Sequence, residues 1–255
     1  MSTKVSYDVH GEGPWLVLSH SLACDRTMWD EQMAALTKSY RVLRYDTRGH
    51  GTSGAPPGPY TLELLADDLK ALLDELAITR THFAGLSMGG MIGQTFALKY
   101  PGILQTLVLC DTTSAYPPAT AALWDERIRT AREHGMPALV NSTLARWFTE
   151  SFRERRPEVM KRFRALICAT PVEGYVGCSQ ALVRINVTAQ LKTLDMPALV
   201  IVGEHDPGTP VAMARAIHEN LAASELAILP DAAHISNVEQ PEKFTQALLK
   251  FLRRH

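Results

Sequence analysis

The sequence has few cysteines and no excess of charge of either sign. Its 255 residues include four cysteines, Cys24, Cys110, Cys168 and Cys178, and none of them forms a C-x-x-C pair. These thiols are too few for a disulfide scaffold and lack the spacing of a metal site. The formal net charge is −1, which argues against nucleic acid or an anionic membrane surface as the main partner.

Long hydrophobic runs are also missing. No stretch approaches the roughly 18 consecutive apolar residues that indicate a membrane span, and the opening residues MSTKVSYDVHGEG lack the apolar core of a signal peptide. We therefore expect a cytoplasmic protein with reduced thiols, no membrane partner, no cofactor and no bound metal. The sequence does not decide between a monomer and a homo-oligomer.

Short apolar runs alternate with segments of helical period along most of the chain. The runs lie at residues 16–19, 42–45, 82–86, 106–110, 198–202 and 225–229, and the helical segments at 30–39, 62–76, 88–99, 211–221 and 242–252. Nearly continuous hydrophobicity indicates strands buried on both faces, as in parallel sheets covered by helices. The alternation predicts the α/β class, with a mostly parallel central sheet flanked by helices.

Residues 116–190, called the insertion below, interrupt this alternation. The insertion follows Asp111 and the entrance sequence around Pro117-Pro118, and it contains amphipathic patches at 121–134, 137–147 and 158–168 but no convincing strand. We interpret it as a helical cap over one end of the sheet, with residues 1–115 and 191–255 forming the core domain.

A candidate nucleophile lies in the sequence Gly85-Leu86-Ser87-Met88-Gly89, which follows an apolar run and opens a helical segment. This is the context of a nucleophile elbow, where small neighbours let the strand and helix backbones approach and the serine is exposed on a strained turn. The bare Gly-x-Ser-x-Gly pattern is weak evidence. The strand before it and the helix after it make Ser87 the predicted nucleophile.

A serine hydroxyl needs a base, and in this architecture the acid and then the histidine follow the serine along the chain. His234 stands in a loop between the last apolar run and the last helical segment, and Asp206 stands in GEHDPGTP after residues 198–202. We predict Asp206 as the acid in preference to Glu204, which is nearer the strand. Asp111 remains a less favoured alternative.

These motifs together resemble the α/β-hydrolase fold superfamily over essentially the whole chain. Within this superfamily, the chain resembles the 3-oxoadipate enol-lactonases. The matching stretches are LSHSL followed by MW, RVLRYDTRGHG, GPYT, GLSMGG, RWFT, EGY and HISNVEQ. The resemblance implies a catalytic triad of Ser87, Asp206 and His234, with the N–H groups of Leu22 and Met88 forming the oxyanion hole. The chain departs from the family at its start, where only about ten residues stand in place of the usual pair of strands, so we expect a sheet of seven strands and not eight.

The resemblance implies a small lactone or ester substrate that carries a free carboxylate, so we expect a cation in the cap, and the bidentate geometry of arginine suits a carboxylate. The candidates are Arg127, Arg132, Arg146 and Arg184, and Arg127 and Arg132 are the two we predict to bind substrate. Trp147 is predicted as a pocket wall, with core packing as the alternative. Ser21, where many hydrolases have glycine, is predicted to place a hydroxyl near the site.

Other functions share these motifs. A carboxylesterase, a perhydrolase or a carbon–carbon bond hydrolase would use the same triad with a different pocket. A non-catalytic ligand-binding protein of this fold is a remote alternative, because such proteins typically lose a triad member and all three candidates are present here.

Overall fold

The computed structural model describes residues 4–255, which fold around a seven-stranded sheet. Its strands are β1 (Tyr7–His10), β2 (Trp15–Ser19), β3 (Arg41–Tyr45), β4 (Thr81–Leu86), β5 (Leu104–Cys110), β6 (Ala198–Gly203) and β7 (Ser224–Leu229). The spatial order is β1-β3-β2-β4-β5-β6-β7. All neighbouring pairs are parallel except β1 with β3, so the predicted α/β architecture and the expected seven strands are confirmed.

Helices cover both faces of this sheet. In chain order, residues 4–255 form α1 (Asp30–Leu36), α2 (Leu62–Glu75), α3 (Met88–Lys99), α4 (Thr120–His134), α5 (Val140–Trp147), α6 (Glu150–Arg155), α7 (Pro157–Ala169), α8 (Val172–Leu182), α9 (Val211–Asn220), α10 (Ser236–Glu239) and α11 (Pro241–Leu252). Every residue of β4 and of β6 is buried, because helices pack on both faces of these central strands. Among residues 4–255, no helix is long and apolar enough to cross a membrane.

The insertion contains five helices, α4 to α8. The amphipathic patches predicted three of them, but α6 and α8 have no matching prediction. α8 shows little helical periodicity because it is buried on most of its circumference. It contacts the core through backbone: a Cβ on Gly174 would lie 2.0 Å from the carbonyl oxygen of Gly49, so a side chain there would push the two segments apart. The division into a core and a cap over residues 116–190 remains a proposal.

Candidate active site

Ser87 lies on a sharp turn between β4 and α3. Its φ of +55° is in the left-handed region, where a non-glycine residue is strained and is held only by its surroundings. The turn is tight because glycines let the backbone segments meet. A Cβ on Gly89 would lie 2.2 Å from the carbonyl oxygen of Ser19, and one on Gly85 would lie 2.3 Å from Gly89. The local geometry is therefore that of a nucleophile elbow.

Ser87, His234 and Asp206 form one hydrogen-bonded row. The Ser87 Oγ lies 2.9 Å from His234 Nε2, and His234 Nδ1 lies 2.8 Å from Asp206 Oδ2. All three residues are buried, with 7%, 7% and 3% of their surfaces exposed. The loops after β4, β6 and β7 carry them, and the carboxyl ends of parallel strands meet at one edge of the sheet. The structure thus brings together the three residues that the sequence singles out.

Asp206 is held by its own loop as well as by the histidine. It accepts hydrogen bonds from the N–H groups of Gly208 (2.8 Å) and Thr209 (3.0 Å) and from the Thr209 hydroxyl (2.7 Å). Glu204 is exposed and makes no hydrogen bond to His234. Sequence reasoning missed Thr209, although an Asp in a loop often accepts a hydrogen bond from the backbone N–H two residues further along.

Asp111, the less favoured acid, occupies a different place in the same buried region. Its carboxyl group accepts from the Gly203 N–H at 2.8 Å and from the Ser236 hydroxyl at 2.5 Å, and it makes no hydrogen bond to His234. Burial and the nearby charge of Asp206 raise the pKa of Asp111 to about 8. The geometry favours Asp206 as the partner of the histidine, with Asp111 bracing the loops on either side.

The pKa values of Asp206 and His234 are shifted in opposite directions. Burial disfavours the charged forms of both Asp206 and His234, but their mutual attraction and hydrogen bond outweigh it. The pKa of Asp206 is therefore lowered from 3.8 and that of His234 is raised from 6.5. Asp206 is ionised at neutral pH, and it stabilises the imidazolium that forms when the histidine takes a proton.

This shift predicts the pH dependence of turnover. His234 accepts the Ser87 proton only when its imidazole is neutral, so kcat/KM should fall as the pH drops through the His234 pKa, at a midpoint above 6.5. A kcat/KM profile on any turned-over ester measures that midpoint. Asp206→Asn should move it to lower pH because the charge that raises it is gone. A wild-type midpoint clearly below 6.5 would contradict the assignment.

The predicted oxyanion hole consists of the N–H groups of Met88, the residue after Ser87, and of Leu22, which lines the same cavity as Ser87. Among residues 4–255, neither the Leu22 nor the Met88 N–H has a hydrogen-bond acceptor. The Met88 group is the first of α3, where the helix dipole favours negative charge. The Leu22 turn is held by its neighbours, since the Ala23 N–H donates to His50 Nε2 at 3.0 Å and the Cys24 N–H donates to the Ser21 carbonyl at 3.2 Å. Both groups are free to stabilise an oxyanion.

A cavity of about 280 Å³ lies over Ser87. Ser21, Leu22 and His234 line its floor, and Arg127, Arg146 and Trp147 from the insertion line its wall. Trp147 also packs edge-on against Phe163, with ring centroids 6.0 Å apart, so it serves both as a cavity wall and as part of the core. Further lining residues that the sequence reasoning did not select are Tyr116, Trp124, Thr143 and Tyr175.

Two arginines point positive charge at this cavity without an acidic partner. Within residues 4–255, neither Arg127 nor Arg146 forms an ion pair. The Arg146 guanidinium donates to the Thr143 hydroxyl at 3.1 Å, and that of Arg127 lies 4.9 Å from the Trp124 ring centroid. Burial, and then the charge of Arg127, lower the pKa of Arg146 to about 10, so the group is still charged at neutral pH.

Arg132, the other arginine predicted to bind substrate, does not line the cavity over Ser87. Arg132 is exposed and lines a separate surface pocket with Arg129 and Arg184. It follows Arg127 by five residues on α4, which places it about 140° further around the helix. Arg146, which the sequence offered only as one of four candidates, takes its place beside Arg127.

The Ser21 hydroxyl is buried in the cavity lining and has no hydrogen-bond partner among the described residues. Leaving a buried hydroxyl unpaired costs about 1–3 kcal/mol, and the predicted role of this hydroxyl near the site is tested by removing it. We expect Ser21→Ala to raise the free energy of unfolding by about 1 kcal/mol and to lower kcat/KM about fivefold. Thermal melting measures the change in stability, and steady-state kinetics measure the change in kcat/KM. Ser21→Gly, which also loosens the backbone, separates hydroxyl from turn effects, and unchanged kinetics in both variants would leave the hydroxyl without a role.

The chain is similar in sequence and in structure to known proteins. A family model described as alpha/beta hydrolase fold matches residues 14–241. The chain is 37% identical to 3-oxoadipate enol-lactonase 2 of Acinetobacter baylyi, over 98% of this chain and 93% of that protein. It is 32% identical to a protein of Stutzerimonas stutzeri provisionally named a carbamate hydrolase, over 96% of each. A solved enol-lactonase from Burkholderia xenovorans superposes with a TM-score of 0.95 at 41% identity, covering 98% of this chain and 97% of that one.

Proposed function

The chain belongs to the α/β-hydrolase fold family, and within it we propose that this hydrolase opens the ring of 3-oxoadipate enol-lactone to give 3-oxoadipate. The observation that carries the proposal is the pairing of a nucleophile with an anion site in one cavity. Ser87 and its hydrogen-bonded partner His234 lie at the floor of the cavity. Arg127 and Arg146, which have no acidic partner, lie in its wall. A small ester or lactone with a free carboxylate complements both.

The proposed reaction begins with the attack of Ser87 Oγ on the lactone carbonyl while His234 Nε2 takes its proton. The N–H groups of Leu22 and Met88 hold the tetrahedral oxyanion. Collapse breaks the bond between the carbonyl carbon and the ring oxygen, and the enol leaving group stays tethered to the acyl-enzyme. It takes the proton from His234 and rearranges to the ketone.

Water completes the cycle. His234, now neutral again, removes a proton from a water molecule that attacks the acyl-enzyme, and the second tetrahedral oxyanion occupies the same two N–H groups. Its collapse releases Ser87 Oγ, which recovers the proton from His234. The net reaction adds one water to the lactone and yields a product with two carboxylates. The enol is a good leaving group, so the main tasks of the site are to orient the ring and to bind the existing carboxylate.

Turnover of purified 3-oxoadipate enol-lactone beside p-nitrophenyl esters tests the proposal. We expect the lactone to be hydrolysed with the higher kcat/KM, because only it engages the arginines as well as Ser87. Fast ester turnover with no lactone hydrolysis would reduce the function to that of a carboxylesterase or related small-substrate hydrolase. A carbamate is the other class that the relatives suggest, and a carbamate substrate in the same assay compares it directly.

A further inference from the structure

Glu239, at the end of α10, is a buried acidic residue that the reaction above does not use. Only 6% of its surface is exposed. Among the described residues, no lysine, arginine or histidine forms an ion pair with it. Its two carboxylate oxygens instead accept hydrogen bonds from two separate parts of the chain. A buried carboxylate needs such donors to offset its lost hydration.

One oxygen of Glu239 reaches the loop of His234 and the other reaches the insertion. Oε2 accepts from the N–H of Ala233 at 2.9 Å. Oε1 accepts from the N–H of Thr149 at 3.0 Å and also from its hydroxyl. The same hydroxyl oxygen accepts from the Phe152 N–H at 3.3 Å and so begins α6. Glu239 therefore joins the residue before the catalytic histidine to the insertion.

The residue after the histidine is joined to the same segment. The N–H of Ile235 donates to the carbonyl oxygen of Trp147 at 3.0 Å. Both amides that flank His234 are thus held, directly or through Glu239, by the segment 147–149. That segment immediately follows Arg146, whose guanidinium lies in the cavity wall.

We propose that Glu239 is a positioning residue that couples the anion-binding wall of the cavity to the placement of His234. This inference rests on the proposed function, because it takes Ser87 and His234 as the reacting pair. A substrate carboxylate on Arg146 restrains the segment 147–149, and the hydrogen bonds of Glu239 pass that restraint to the loop 233–235. An anionic substrate then raises kcat as well as affinity.

This positioning role requires a glutamate because both of its carboxylate oxygens accept hydrogen bonds. Glutamine has the same shape but one acceptor oxygen, and its amide nitrogen would face an N–H group. Glu239→Gln therefore leaves either the Ala233 N–H or the Thr149 N–H without its acceptor. On the insertion side, Thr149→Val removes the hydroxyl and leaves the backbone N–H, whereas Thr149→Ser keeps both.

The test compares kcat on two esters in the full-length protein: the p-nitrophenyl half-ester of adipic acid, which carries a carboxylate, and neutral p-nitrophenyl hexanoate. The variants are Glu239→Gln and Thr149→Val. Their matched controls are Glu154→Gln, which removes the same charge from an exposed position on α6, and Thr149→Ser. Thermal melting reports folding, and KM is recorded separately for each ester.

In the wild type we expect kcat on the anionic ester to exceed kcat on the neutral one about tenfold, an ordinary size for coupling between sites. Glu239→Gln should bring this ratio to about one while the KM preference for the anion remains, and Thr149→Val should lower it in the same direction. Both controls should keep the wild-type ratio. A role in stability alone would slow both esters by one factor, and that result overturns the proposal, as does a wild-type ratio of one. The esters report on the serine chemistry even if the lactone is not a substrate, so the two proposals fail separately.

Discussion

Ser87→Ala is expected to lower kcat on the lactone, and on any ester that the protein turns over, by about 10⁴-fold or more. The variant removes the atom that would form the acyl-enzyme, and His234 Nε2, 2.9 Å from that atom, loses its proton donor. Residual turnover would come from the free Leu22 and Met88 N–H groups and from substrate binding. Stopped-flow or steady-state hydrolysis of a p-nitrophenyl ester measures the loss, and mass spectrometry should find an acyl adduct only on the wild type.

Stability separates this loss from damage to the fold. Ser87 has a φ of +55°, so Ser87→Ala keeps the backbone strain and should melt close to the wild type. Ser87→Gly relieves the strain, and we expect it to be inactive yet more stable by about 1 kcal/mol. A Ser87→Ala variant that binds and turns over substrate like the wild type would instead support the remote alternative, a ligand-binding protein of this fold.

The sheet and the position of Ser87 could be predicted because their signals are local. The run before Ser87 is apolar from Phe83 to Leu86, and Gly85 and Gly89 are required by backbone approaches of less than 2.5 Å. His234 and Asp206 followed from topology, since loops after parallel strands share one edge of the sheet. Such arguments use only the neighbours of a residue in the sequence and the order of the strands, so they do not require knowledge of how the insertion folds.

The insertion shows where those arguments end. α8 packs on most sides, so its sequence carries no amphipathic stripe, and its contact with the core depends on glycines far apart in the chain, Gly49 and Gly174. The position of Arg132 outside the cavity could not be predicted for the same reason. Charge and position in a helix are visible in the sequence, but the face that α4 turns to the cavity is set by its packing against α8.

Glu239 illustrates a third kind of limit. Its motif, HISNVEQP, was visible as part of a family resemblance, yet nothing in it shows that the carboxylate would reach Thr149, 90 positions away in sequence. A buried acceptor is hydrogen-bonded to donors that the tertiary structure brings close, and the local sequence does not identify those donors. The local pattern marks such a residue only as an acidic group before a proline.

Arg146→Met is the second variant with a large expected effect, about 100-fold lower kcat/KM on the lactone, or ~2.7 kcal/mol. Its guanidinium has no acidic partner among residues 4–255 and sits beside Arg127, so the substrate carboxylate would be its counterion. A neutral ester should be turned over at least as well as by the wild type, because it gains nothing from the charge. Parallel kinetics on the lactone and on p-nitrophenyl hexanoate measure the difference.

The same change should stabilise the free protein. A half-buried cation next to another cation costs free energy that methionine, of similar length and without charge, does not, so Arg146→Met should melt higher while it loses the lactone. Arg132→Met removes an equal charge from the exposed face of α4 and should change neither property. If Arg146→Met weakened both substrates equally, or if Arg132→Met matched its effect, charge in the cavity wall would not be what selects the substrate. Lower activity with higher stability is the expected signature of a cation kept for an anionic ligand.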